Sequence, residues 1–102
     1  MIGHGYGDEF EWDTDNEDKL ADKHGVDRYE AEEAAKDHLA QLRRAGNDEF
    51  GNPRYVGPGK TEDGRILFVV LDKKGPRLWR IASARDAAPK ERSIYKKKER
   101  NG

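Results

Sequence analysis

Ile66-Leu67-Phe68-Val69-Val70-Leu71 is the stretch that decides the fold. It is the longest apolar run in a chain of 102 residues, of which only 33% are hydrophobic and 40% charged. Turn signals bound it on both sides, Glu62-Asp63-Gly64 before and Asp72 to Pro76 after. A run this short between such turns reads as a strand over 65–71, and Asp-Gly beside it is a hairpin signal. Its apolar residues fall on both alternating faces, so both faces are expected to be covered. Beyond the second turn, Leu78 to Ala84 returns as a strand. Ahead of the first, Arg54 to Gly57 reads as a strand weakened by Pro58 and Gly59.

Further out the pattern changes period. Residues 1–8 are Gly-rich and expected to be poorly ordered. Glu9 to Asp13 alternates acidic with aromatic, which puts Phe10 and Trp12 on one side of a short strand; Trp12 is expected in the core, with stacking on RNA as the alternative. Thr14, Asp15 and Asn16 are capping types, and Lys23-His24-Gly25 is a stop signal, which predicts a helix over about 15–24. Asp27 caps a second helix whose Ala31, Ala34, Ala35 and His38 share one small-residue face. Propensity alone would extend that helix to Arg44, with Gly46 as its stop. Gly46 to Asn52 reads as a loop. Pro89 suits the first turn of a last helix over about 89–98, and the tail 98–102 is expected to be flexible. The order predicts one α+β domain over 1–102: a mainly antiparallel sheet of four to five strands, two N-terminal helices and one C-terminal helix.

Composition excludes some functions. There is no cysteine, which removes disulfides and thiolate metal sites. No apolar run approaches the ~20 residues of a membrane span, and the acidic, polar start is unlike a signal peptide. A soluble cytoplasmic protein without cofactor is the expectation. The three histidines, His4, His24 and His38, have no metal-ligand spacing. A net charge of −1 hides a division: residues 1–50 carry 15 Asp and Glu against 6 Lys and Arg, residues 51–102 carry 6 against 14. The basic half offers itself to a polyanion or an acidic partner. Equally, the two halves can neutralise each other across the fold.

Three patches, in order, carry a resemblance. They are Phe10-Glu11-Trp12-Asp13, then Lys23-His24-Gly25-Val26, then Arg80-Ile81-Ala82-Ser83-Ala84-Arg85 followed by Glu91-Arg92 and Tyr95. The set resembles the BrnT family, the toxin half of bacterial type II toxin–antitoxin pairs. The resemblance runs from about Phe10 to Tyr95. It implies a RelE-like fold, ribonuclease activity and a cognate antitoxin with which the chain would form a hetero-oligomer. It also favours a strand near residues 39–44 over an extended second helix. The chain departs from the family at Ala88, where Thr is common, and in the acidity of its first helix, where the family often places Lys and Asn and this chain has Asn16 and Leu20.

RNA cleavage by its own 2′-hydroxyl needs a proton acceptor, a stabiliser for the phosphorane and a proton for the leaving oxygen. Histidine suits the first role and arginine the second. Those needs single out His24, Arg80 and Arg85 as catalytic candidates, with Lys23, Arg92 and Tyr95 as RNA-binding candidates. Each has a structural reading beside it. His24 at a helix C-terminus interacts well with the macrodipole. Arg80, charged amid an apolar strand, pairs with an acidic residue of the N-terminal half or waits for a phosphate. Tyr95 stacks on a base or is a half-buried anchor with a wet hydroxyl. Ser83 and Glu91 fit a conformational role as well as a chemical one. Gly57, Gly59 and Lys60 lack the spacing of a phosphate loop.

Overall fold

A computed structural model of the chain describes residues 9–101. The expectation for residues 1–8 lies outside them. In chain order the elements are β1 (Glu9–Glu11), α1 (Thr14–His24), α2 (Arg28–Lys36), β2 (Arg43–Asn47), β3 (Pro53–Lys60), β4 (Ile66–Lys73), β5 (Leu78–Asp86) and α3 (Pro89–Asn101). The sheet order is β1-β5-β4-β3-β2, so the apolar run is its central strand. β1 pairs parallel with β5, and the other three pairings are antiparallel.

One face of the sheet carries the core. Leu67, Val69 and Leu71 of β4 lie with Trp79, Ile81 and Ala84 of β5 against Leu20, Val26, Ala31, Ala34 and Ala35 from the α1–α2 side. Phe10, Trp12, Leu42 and Tyr55 pack partly buried around them. A bulge in β5 sets this pattern: Val70 pairs with Ser83 but Leu71 pairs with Ile81, leaving Ala82 as the extra residue. The bulge is why Ala84 joins Trp79 and Ile81 on the core face despite the broken alternation.

The opposite face is covered at one end only, which corrects the expectation that both would be. There Ile66, Ala87 and Tyr95 form a small second cluster with Leu39 beside it. Phe68 and Val70 remain half-buried, and the Arg85 guanidinium lies 4.6 Å from the Phe68 ring centroid in place of a helix.

α1 starts one residue earlier than read, because Asp13 is its cap and accepts the Asn16 amide at 2.7 Å. It ends at the expected stop, with Gly25 in the left-handed region at φ 61°. α2 begins with a full capping box between Asp27 and Glu30. It ends at Lys36, well before Arg44. The reason is Asp37, whose carboxylate takes the amides of Leu39 at 3.1 Å and Lys60 at 2.9 Å and so turns the chain toward the sheet. His38 therefore leaves the helix and is exposed. A strand does follow, but at Arg43–Asn47, so Gly46 and Asn47 belong to it rather than to a loop.

β3 runs through Pro58 and Gly59 instead of stopping there. Pro58 lies past the residues that pair with β2, where its missing N–H leaves no gap in that ladder. Gly59 is required by close approach: a Cβ there would meet the Ala34 carbonyl oxygen at 2.1 Å. The small face of α2 and this glycine together let helix and sheet backbones touch. α3 continues to Asn101, so Lys96, Lys97 and Lys98 are helical and exposed.

Candidate functional site

α1 crosses the sheet edge where β1 has ended and β5 continues. The Asn16 side-chain amide donates to the Ile81 carbonyl, which anchors the helix to β5 just before the bulge. Between the two elements lies a groove of about 150 Å³ lined by Asn16, Lys19, Leu20, Lys23, His24, Ala82 and Ser83. Lys19 and Lys23 are one turn apart and exposed, and His24 is half-buried at the helix end. Among the described residues no carboxylate lines this groove. Two larger cavities differ sharply. The one containing Arg80 has five carboxylates against three cations, with Asp72 and Asp13 among them. The one containing Tyr95 has Glu32, Glu33, Asp37 and Glu62 against Lys36 and Lys60.

Arg65, at the start of the central hairpin, fixes the end of α1. Its guanidinium donates to the His24 carbonyl at 3.3 Å and the Gly25 carbonyl at 3.0 Å. It also donates to Asp86 at 2.8 and 3.2 Å, and to both Glu30 oxygens at 3.2 Å. One side chain thus ties the last carbonyls of α1 to the first turn of α2 and the end of β5. Hydrogen bonding to Asp86 raises the Arg65 pKa further, with Glu30 adding to it, so the cation is permanent. In return Arg65 holds the Asp86 carboxyl below the usual carboxylate range.

The sequence-predicted residues divide. Lys23 and His24 share the groove. Arg80 and Arg85 lie on β5 in register with Asp72 and Phe68, on the sheet face turned away from the core, one on each side of Ser83. Their guanidiniums do not converge on His24. Arg80 reaches Asp13 at 3.5 Å and Asp72 at 3.9 Å. Asp72 is fully buried and already takes Arg54 through two bonds of 2.7 and 3.0 Å. The Asn16 amide holds Asp13 below the usual carboxylate range, against some desolvation and with help from Arg80. Arg85 is bound by both Glu91 oxygens at 2.9 Å, which holds the Glu91 carboxyl low. Glu91 also accepts the Ala88 amide at 2.7 Å. That is half of a capping box, kept although Ala88 supplies no hydroxyl.

Arg92 is exposed on α3. Tyr95 is 1% exposed, and its hydroxyl donates to Asp37. Burial, and then Asp37, push the phenol pKa up, so it stays protonated. Of its two readings, the structure gives Tyr95 the place of an anchor between α3 and the α2–β2 connection. Among the described residues no group of three or more His, Asp or Glu is arranged to hold a metal ion.

Sequence reasoning passed over Lys19 and Arg65. Lys19 was detectable, since it falls four residues before Lys23 on one helix face. Arg65 gave no local signal, because every partner is remote in sequence.

A family model described as ribonuclease toxin, BrnT, of type II toxin–antitoxin system matches residues 12–91. The chain belongs to the BrnT family. Among solved structures it is similar to the Brucella abortus ribonuclease toxin BrnT, with a TM-score of 0.57 and 21% identity over 76% of this chain and 92% of that one. At that identity the likeness is one of fold; the α+β class, with a mainly antiparallel sheet, two N-terminal helices and one C-terminal helix, is as read from the sequence. No individually curated protein matches the chain. The BrnT match covers α1, α2, four of the five strands (β2 to β5) and the start of α3, and so includes the groove and all of its lining residues.

Proposed function

We propose that this BrnT-family chain is an RNA endonuclease that cleaves by attack of the ribose 2′-hydroxyl in the α1–β5 groove, without a metal ion. The observation that carries this reading is the groove's lining: two ammonium groups and one imidazole with no carboxylate among the described residues, in the otherwise acidic half of the chain. His24 takes the proton of the 2′-hydroxyl as that oxygen bonds to phosphorus. Lys19 and Lys23 hold the phosphate and balance the charge of the phosphorane. The leaving 5′-oxygen takes its proton from the Lys23 ammonium or from solvent, so the products are a 2′,3′-cyclic phosphate and a 5′-hydroxyl. Ser83 and the Asn16 amide offer hydrogen bonds to the ribose. Arg80 and Arg85, already paired with carboxylates, flank the groove and bring positive charge to either side of it; Arg92 and Tyr95 act through the position of α3. A cognate antitoxin would cover the groove, and the setting would be the cytoplasm, where RNA is available.

The test is cleavage of a single-stranded RNA by purified protein, with and without chelator, and by His24→Ala. A general base contributes about 10²–10⁴ in rate, so that variant should lose at least about 100-fold at unchanged thermal stability. Chelator should have no effect, and the products should carry cyclic phosphate ends. Full activity in His24→Ala, or activity abolished by chelator and restored by a divalent ion, refutes the mechanism.

One observation favours a second reading. Both β5 guanidiniums are engaged by carboxylates, as expected of a weakened homologue that binds RNA or an acidic antitoxin segment without cutting. RNA left intact after long incubation, yet bound with steep salt dependence, would select it.

A further inference from the structure

α3 carries six cations in thirteen residues: Lys90, Arg92, Lys96, Lys97, Lys98 and Arg100. All six are exposed. None reaches a carboxylate within 4 Å among the described residues, whereas the two acids of the helix are both engaged elsewhere, Glu91 by Arg85 and Glu99 by Lys60. The engaged acids lie beside Tyr95 on the sheet-facing side. Lys90, Ser93, Lys97 and Arg100 fall at i, i+3, i+7 and i+10, one stripe on the opposite side, running the ~20 Å length of the helix.

Helix stability does not account for this stripe. Cations in the last turn suit the helix dipole, but Lys90 and Arg92 stand in the first turns, where they oppose it. Arg92–Lys96 and Lys96–Arg100 are like-charge pairs four residues apart, which repel. The sheet does not account for it either, since the contacts of α3 to the sheet run through Tyr95, Glu91 and Glu99. By charge complementarity, a polyanion is the ligand that such a surface attracts. The family match ends at Glu91, so most of α3 lies beyond the segment that defines the family.

We propose that the outer face of α3 is an RNA-backbone docking surface, separate from the cleavage groove, that holds the substrate by its phosphates without reading its bases. This rests on the reading of RNA as the substrate. The helix binds, the groove cuts, and the two are independently removable.

The experiment measures binding of a short single-stranded 2′-O-methyl RNA, which lacks the attacking hydroxyl, by fluorescence anisotropy across a salt series. The proteins are the parent, the triple variant Lys90→Gln/Lys97→Gln/Arg100→Gln, and His24→Ala. Each phosphate neutralised on a single strand contributes about 0.7 to the slope of log affinity against log salt, so the triple variant should lose about 2 from that slope. Between 50 and 200 mM salt the parent should then weaken about 20-fold more than the triple variant. On cleavable RNA the triple variant should raise KM and leave kcat unchanged, with the same circular dichroism as the parent. His24→Ala should bind with the parent's slope. A triple variant with an unchanged slope overturns the proposal. So does a parent that holds polyglutamate or anionic vesicles but no RNA at low salt. If His24→Ala still cleaves while the triple variant loses its slope, the groove mechanism fails and the docking surface stands. If His24→Ala is inert and the triple variant binds as the parent does, the reverse holds.

Discussion

Replacing Arg65 tests whether the end of α1 is held from the far side of the fold. Its guanidinium is 27% exposed and bonds two carboxylates, Asp86 and Glu30, and two carbonyls, His24 and Gly25. A fully exposed ion pair is worth about 0–1 kcal/mol, while a hydrogen bond to a charged group in a shielded site is worth about 1.5–3. The site is intermediate and its bonds are not additive, which places Arg65→Ala near 3 kcal/mol. Arg65→Lys should lose about 2 kcal/mol, because an ammonium has three donors and cannot reach all four groups in one geometry. For a domain of this size 1 kcal/mol corresponds to about 4–8 °C in Tm, so Arg65→Lys should melt about 10 °C lower in a far-ultraviolet dichroism scan. Hydrogen exchange should show where the loss falls: the amides of Gly25 and Val26, which close the helix onto Ala21 and Leu20 at 3.1 and 3.2 Å, should lose protection first. A Tm within about 2 °C of the parent, with those amides still protected, would show that the clamp contributes nothing and that α1 is held by burial of Leu20 and the Asn16 bond to Ile81.

Other outcomes follow from the same contacts. Gly59→Ala should prevent folding or lower stability by more than about 3 kcal/mol, since the new methyl meets a helix backbone carbonyl that cannot move aside; a folded variant seen by dichroism refutes the packing. Tyr95→Phe should lower stability by about 1.5 kcal/mol through the lost bond to Asp37 and leave cleavage intact, and a loss of kcat at full folding would return the phenol to the chemistry. Arg80→Ala and Arg85→Ala should each reduce cleavage less than about 10-fold against the 100-fold or more of His24→Ala, and equal losses would return charge stabilisation to the guanidiniums. Asp13, Asp48, Asp86 and Glu91 all have lowered pKa values in the fold. Their stabilisation is therefore complete above the ordinary carboxylate value of about 4 and is lost as pH falls through the lowered values, so acid melting should begin below about pH 4 and be shallower in Asp86→Asn.

What the sequence revealed was what local chemistry determines. The apolar run with turns on both sides gave the central strand, Asp27 gave the start of α2, and Lys23-His24-Gly25 gave the end of α1. What it hid depended on partners far along the chain. The end of α2 is imposed by Asp37 reaching Lys60, and no propensity of residues 37–44 records it. β3 passes through Pro58-Gly59 because α2 needs the space that glycine leaves. The bulge at Ala82 is visible only in the pairing of β5 with β4, yet it places Ser83 at the groove. The groove itself was half legible: Lys23 and His24 were read from their motif, while Lys19 entered only once β5 lay beside α1.

The arginines expected at the phosphate site are paired with carboxylates in the fold, for a reason contained in the chemistry used to form that expectation. A guanidinium suits phosphate because its planar fork takes two oxygens at once, and it suits carboxylate for the same reason. This chain has 21 acidic residues, so folding offers the forks partners before any RNA does. Arg54 takes Asp72, Arg65 takes Asp86 and Glu30, Arg80 takes Asp13, and Arg85 takes Glu91, all on or beside the three central strands. Among the described residues, five of ten arginines stand in ion pairs, against two of ten lysines, Lys60 and Lys74. The ammonium has no fork to match a carboxylate edge and is strongly hydrated, so most lysines stay on the surface with their charge uncompensated. In a domain with a small core and a large carboxylate population, arginine holds the scaffold together and lysine remains for the ligand. Among the described residues, Lys19 and Lys23 at the groove, and the lysines of α3 with Arg92 and Arg100, are cations that no carboxylate within 4 Å engages.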